Sequence, residues 1–162
     1  MNLSDACKSG RLDDVRALLD KGANVDKVEN YGSALTDASR FGKTDIVALL
    51  LARGANPNIQ AGGDAALDLA CLGGHVRIIE MLLDAGAKVN YKNYNKDTAL
   101  VVAIDQGDTD VVKILLEAGA DPNTTGCLCR VQSARQTGVV LASLLEAPLL
   151  RRRVGAARRQ SV

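Results

Sequence analysis

The stretch Asp97-Thr98-Ala99-Leu100, running through Ala103 and Gly107 to Leu115-Leu116 and on to Gly119-Ala120-Asp121-Pro122-Asn123, decides the fold. Leu100 and Ala103 open an apolar segment at helical spacing, and Gly107 closes it, since a glycine can take the positive φ that ends a helix. A second apolar segment runs to Gly119-Ala120, and Asp121-Pro122-Asn123 leads into an extended turn. The same pattern recurs upstream. Gly-Ala pairs stand at Gly22-Ala23, Gly54-Ala55, Gly86-Ala87 and Gly119-Ala120, at spacings of 32, 32 and 33. Leu-x-x-Ala keeps time at Leu3/Ala6, Leu35/Ala38, Leu67/Ala70 and Leu100/Ala103, with Gly10, Gly42, Gly74 and Gly107 four residues after each Ala. Leu-Leu pairs follow at Leu18-Leu19, Leu50-Leu51, Leu82-Leu83 and Leu115-Leu116. One such unit cannot bury its own apolar face, whereas stacked neighbours can, so the repeat predicts a quasi-one-dimensional solenoid.

Composition agrees with thin helical layers. The 162 residues are one domain's worth, 47% apolar but only 2% aromatic, with one Phe, three Tyr and no Trp. The core must be built from Leu, Val, Ile and Ala instead of large rings. The net charge of +1 hides an asymmetry. Residues 1–123 carry 13 Lys and Arg against 18 Asp and Glu, whereas 124–162 carry seven Arg, no Lys and one acid, Glu146. Such a split points to an acidic folded body and a basic segment with a different role. Four Cys are too few for a disulfide scaffold. Met1 to Asp5 has neither the basic flank nor the apolar core of a signal peptide, and no apolar run approaches the ~20 residues of a membrane span. An intracellular protein, cytoplasmic or nuclear, is expected.

Residues 3–125 resemble the ankyrin repeat family, most closely over Asp97 to Asn123, with Ala99 where the family usually has Pro. The resemblance implies an all-α solenoid of stacked helix-turn-helix units with β-hairpin loops projecting sideways. Four repeats are expected, at about 1–28, 29–60, 61–92 and 93–125. Eleven residues separate Gly22 from Ser33 and Gly54 from Ala65, against 12 from Gly86 to Thr98, so two hairpins are one residue short and depart from the family pattern, which leaves their tip geometry open.

Beyond Thr125 the repeat decays. Val131 to Gly138 can be laid on Leu100 to Gly107, and Ser143 to Pro148 echoes Ile114 to Gly119. An eroded fifth unit over 126–148 that caps the stack is the favoured account, and a foreign tail from an alternative end or a truncation is the other. Arg151-Arg152-Arg153 and Arg158-Arg159 place an Arg-rich tail, expected to be disordered, at 149–162. Without interleaved aromatics for base stacking, contact of this tail with nucleic acid or anionic membrane is weakly supported. Arg158-Arg159-Gln160-Ser161 also resembles a basophilic kinase site, with Ser161 as acceptor.

No catalytic constellation emerges. His75, the one histidine, stands after Gly74, where ankyrin repeats often carry a structural histidine, and no nucleophile or second ligand accompanies it. Cys7 and Cys71 follow Ala6 and Ala70 and read as small core residues in one structural slot, which Ser39 and Ile104 fill elsewhere. Cys127-Leu128-Cys129 lacks the second pair a zinc site needs. Gly62-Gly63 and Gly73-Gly74 have no phosphate-loop context. Asp13-Asp14, Asp45 and Asp110 stand at helix starts, where they favour the positive end of the helix dipole. Neither enzymatic activity nor a cofactor, metal or small-molecule substrate is expected.

The aromatics carry the functional hint. Tyr31, Tyr91 and Tyr94 fall in the hairpin segments and Phe41 at the end of a first helix, away from the Leu-Leu core positions. By the family resemblance these segments line the concave face that holds partners. Tyr offers a large contact area at low entropic cost. The candidate partner-binding residues are Tyr31, Arg40, Phe41, Leu72, Tyr94, Asn95, Asp97, Asp105 and Gln106, with Lys8, Ser9 and Asn30 at matching positions; the alternative for Tyr91 is to pack hairpin against hairpin. A monomeric module that binds another protein is the leading reading. The alternative is a regulatory or targeting subunit whose basic tail directs localisation or is phosphorylated.

Overall fold

Helices of seven to nine residues are marginal in isolation, so every element of this chain depends on its neighbours. The structure is a computed structural model that describes residues 2–122. The expected cap at 126–148, the Arg-rich 149–162, Cys127-Leu128-Cys129 and Ser161 lie outside these residues. Among the described residues there are four helix pairs: α1 Leu3–Ser9 with α2 Leu12–Asp20, α3 Ala34–Arg40 with α4 Thr44–Ala52, α5 Ala66–Leu72 with α6 Val76–Asp84, and α7 Ala99–Gln106 with α8 Thr109–Glu117. The first helices of the pairs stack in the order α1, α3, α5, α7 and form an inner layer, and α2, α4, α6, α8 form an outer one. No helix among the described residues is long and apolar enough to cross a membrane.

Small residues let the inner layer close up. Ala6, Ala38, Ala70 and Ala103 are fully buried, as are Cys7, Ser39, Cys71 and Ile104 beside them. From the outer layer Val15, Val47, Ile79 and Val112 supply fully buried branched side chains, joined by Leu50, Leu82 and Leu115. Burial pushes the Cys7 thiol up to about 12, with the Asp37 carboxylate adding to the shift, and drives Cys71 further up, chiefly by desolvation. Both thiols are therefore inert core groups at neutral pH.

Two further devices lock neighbouring units. Side chains in the inter-helix loops cover glycines of the unit before: a Cβ on Gly10 would stand 3.2 Å from Lys43, and one on Gly42 2.7 Å from the His75 ring. His75 Nε2 also lies 3.4 Å from the Arg40 carbonyl oxygen, within reach as a donor. The second device is a ladder at positions 26, 58 and 90. Asp26 Oδ1 accepts from the Asn56 amide at 2.9 Å, Asn58 Oδ1 from Lys88 at 2.8 Å and Asn90 Oδ1 from Asp121 at 2.7 Å. Asn58 and Asn90 also donate through Nδ2 to the carbonyls of Gly86 and Gly119, each at 3.1 Å.

The hairpins differ in their turns as well as in their lengths. Strands β1 Val28–Glu29 and β2 Gly32–Ser33 pair antiparallel, leaving Asn30 and Tyr31 as a two-residue tip with φ of 49° and 63°. Positive φ at both central residues is the signature of a type I′ turn. Gly62 and Gly63 repeat it at 67° and 94° between the bridged Ala61 and Asp64. The longer third loop closes instead with Asn93 N donating to Asp97 O at 2.8 Å, Lys96 N to Asn93 O at 2.9 Å, and Lys96 alone at positive φ, 64°. One extra residue thus replaces the two-residue turn with a three-residue loop whose last residue is left-handed.

Candidate inner-face binding site

The first residues of each inner helix shape the face beside the hairpins. Ser33 caps α3 reciprocally with Thr36: the Ser33 amide donates to Thr36 Oγ1 at 2.7 Å, and the Thr36 amide to Ser33 Oγ at 3.2 Å. In α5 the same register holds Asp68, whose Oδ2 accepts from the Ala65 amide at 3.0 Å. In α7 it holds Val101, which has nothing to offer Thr98, and Thr98 Oγ1 is buried without a partner. Desolvation by burial raises the Asp68 carboxyl to about 6; the Asp64 charge adds to the rise and the Ala65 hydrogen bond opposes it.

Between the third and fourth inner helices lies a cavity of about 240 Å³. Its carboxylates are Asp64, Asp68, Asp97 and Asp105, and no Lys or Arg lines it. Leu69, Leu72 and Val102 provide an apolar wall, while Asn93, Asn95 and Gln106 supply amides. Five of the nine sequence-derived candidates, Leu72, Asn95, Asp97, Asp105 and Gln106, therefore converge on one cavity. Sequence reasoning missed Asp68, although its register with Thr36, three residues into the segment after the hairpin, was visible.

The other candidates lie elsewhere along the same side. Tyr31 and Tyr94 occupy hairpin tips and are 84% and 80% exposed. They flank the Gly62-Gly63 tip closely: a Cβ on Gly62 would meet the Tyr31 Cβ at 3.1 Å, and one on Gly63 the Tyr94 Cβ at 2.9 Å. Phe41 and Leu72, at the ends of α3 and α5, are 49% and 47% exposed, and Arg40 is exposed beside Phe41. Tyr91 is half-buried, short of the tip. Lys8 lies 3.6 Å from Asp37, which also accepts from the Ser4 hydroxyl, so the first two units present a different charge pattern from the last two. No group of three or more metal-ligating side chains suited to an ion occurs among the described residues.

Two family models match this chain: ankyrin repeats (3 copies) over residues 60–126 and ankyrin repeats (many copies) over 35–83. Together they span residues 35–126, more than half of the sequence. The chain belongs to the ankyrin repeat family. Ankyrin repeats are in general protein–protein interaction modules, and they are typically non-catalytic. Among curated proteins, none matches this ankyrin chain. The hairpins, inner helices and outer helices described above are thus the parts of an ankyrin stack.

Proposed function

We propose that this ankyrin protein binds a protein partner on its hairpins and inner helices, through Tyr31, Arg40, Phe41, Leu72, Tyr94, Asn95, Asp97, Asp105 and Gln106. One observation carries the reading. Among the described residues, the large apolar side chains left exposed are Val28, Tyr31, Phe41, Leu72 and Tyr94, and every one stands on a hairpin or at the end of an inner helix. The outer helices α2, α4, α6 and α8 expose none. Apolar side chains gathered on one side of a molecule mark an interaction surface, and Tyr and Phe are the types that anchor one.

The backbone at Tyr31 supports the same reading. A bulky residue at φ 63° is strained, and the equivalent tip position is Gly63. Strain retained under a largely exposed ring favours a role for that ring in contacts outside the chain. The mechanism is preorganised surface complementarity, with the repeat stack as a rigid support.

Quantitative affinity capture with the full chain tests the reading. Partners should be retained when Arg16 and Arg77 on the outer layer are changed to Ala, and lost when Tyr31, Phe41 and Tyr94 are changed to Ala. The opposite pattern would move the binding surface to the outer helices.

A further inference from the structure

The C-terminal ends of the four inner helices carry different charges. Along the stack, one last-turn position holds Lys8, Arg40, Leu72 and Asp105, and the loop position three residues on holds Arg11, Lys43, His75 and Asp108. Both series run from cation to carboxylate and change character at the third unit. A helix C-terminus favours a nearby cation, but α5 and α7 have no basic residue in their last turns, so the stack does not require one there. Lys8 has a partner in Asp37 at 3.6 Å. Arg40 and Lys43 form no ion pair with any described residue. The Lys43 stem crosses Gly10, 3.2 Å from where a Cβ would stand, and carries its charge toward the end of α1. Between these two cations in the chain stands Phe41, 49% exposed, and Leu72 on the next unit is 47% exposed. His75 Nε2, 3.4 Å from the Arg40 carbonyl oxygen, ties this end of α3 to the following loop.

We infer that this end of the inner face takes an acidic segment of the protein partner, with its carboxylate on Arg40 and Lys43 and an apolar side chain against Phe41 and Leu72. This rests on the inner-face reading and names the partner chemistry. The Arg40 guanidinium offers a planar fork that matches a carboxylate, and Lys43 adds a second charge on the side of α1. Apolar contact on Phe41 and Leu72 excludes water beside the ion pair and strengthens it. Stacked helices lie about 10 Å apart, which separates the carboxylate from the apolar anchor by about three residues of extended chain. Asp105 and Asp108 repel a carboxylate at the matching positions of the fourth unit, so the acidic end of the segment lies toward α1. A short segment suits this charge pattern better than a nucleic acid does. Residues 1–123 carry 18 acidic against 13 basic side chains, and a long polyanion would meet the repulsion of that whole body.

The test is selection from a displayed library of random dodecapeptides on the full chain, followed by titration of the strongest sequence as a fluorescein-labelled peptide. Selected peptides are expected to share an acidic residue and, about three positions away, a large apolar one. Replacing the acid by its amide should weaken binding by about tenfold. Arg40→Gln should do the same, while Arg40→Lys keeps most of the affinity. Lys43→Met, which keeps the stem over Gly10 and removes the charge, should weaken binding by about threefold or more, and affinity should fall as salt rises from about 50 to 300 mM. Thermal unfolding of each variant shows that the loss is local. Selected peptides without an acidic residue overturn the inference. If Tyr31→Ala and Phe41→Ala abolish binding while Arg40→Gln and Lys43→Met do not, the acidic assignment is wrong and the inner face stands; if none of the four matters, both fail. Loss of binding on changing Arg151, Arg152 and Arg153 to Ala, with Arg40→Gln silent, moves the acidic contact to the basic end of the chain and overturns the inference. So does a labelled oligothymidylate that binds more tightly than the peptide and depends on Arg40, because the occupant is then a nucleic acid.

Discussion

Asn58 holds Gly86 across a repeat boundary: its Nδ2 donates to the Gly86 carbonyl at 3.1 Å while its Oδ1 takes the Lys88 amide at 2.8 Å. Asn90 repeats this pair of bonds on Gly119 and Asp121, but the Asp26 carboxylate has no donor for the Gly54 carbonyl and contributes to the ladder by accepting from Asn56. Restoring the amide should therefore improve the first rung. Asp26→Asn is expected to raise stability by about 0.5–1 kcal/mol, and Asn58→Ala to lower it by about 1–2 kcal/mol. Urea unfolding measures both; an Asp26→Asn protein no more stable than the parent means that the Gly54 carbonyl is satisfied without it.

The orphaned hydroxyl of Thr98 gives a second test. Thr36 serves Ser33 in α3, and Val101 occupies the matching place in α7. Val101→Thr puts an acceptor and donor within reach of Thr98 at nearly unchanged volume. Val-to-Thr changes in a core normally destabilise, yet here a gain of about 0.5–1.5 kcal/mol is expected, because two buried polar groups become partners. Val47→Thr, placed among apolar side chains, is the control and should lose stability. Equal losses at both positions would show that Thr98 gains nothing from residue 101.

Asp68 makes stability depend on pH. Its carboxyl is raised to about 6 in the folded chain from an ordinary value of 3.8. The folded state then keeps a proton that the unfolded state releases, so this contribution is fully present below the ordinary value and is lost as pH rises through the raised one. Stability from this group should fall by on the order of 2 kcal/mol between about pH 4 and pH 7. Asp68→Asn removes the titration, so the variant should match the parent at pH 4 and exceed it at pH 7.5. Parallel pH profiles for the two proteins would refute the assignment.

At the hairpin tip, stability and binding should part company. Tyr31 sits at φ 63°, where Gly63 does the same task without strain. Tyr31→Gly is expected to stabilise the fold by about 1 kcal/mol and to weaken partner capture. A variant that binds as well as the parent would remove Tyr31 from the interface.

Much of the fold was legible because the repeat writes each constraint four times. Leu35, Ala38, Gly42 and Leu50 report the same environment as Leu67, Ala70, Gly74 and Leu82, and the two shortened hairpins were visible as a missing residue. The turn types that follow from that missing residue are what the structure adds. The binding side was legible in part, since exposed aromatics stand out in a chain with so few. What stayed hidden are relations between units. Asp68 meets Asp97 and Asp105 only once α5 and α7 are stacked, and nothing local to Asp68 marks it as more than a helix cap. The ladder of Asp26, Asn58 and Asn90 was present as a 32-residue period, but its hydrogen bonds span 28 to 31 residues and need the stack to exist.

That ladder also makes the protein a graded mechanical element. Each unit is tied chiefly to its neighbours, so tension applied along the stack is borne by one boundary after another. At the boundary spanned by Asp26 the ladder supplies a single hydrogen bond where at the next two it supplies a pair. The contacts of Ser4 and Lys8 with Asp37 reinforce that first boundary from the inner layer, so a load pulling the units apart should open the ladder edge there first, with the inner helices as the hinge.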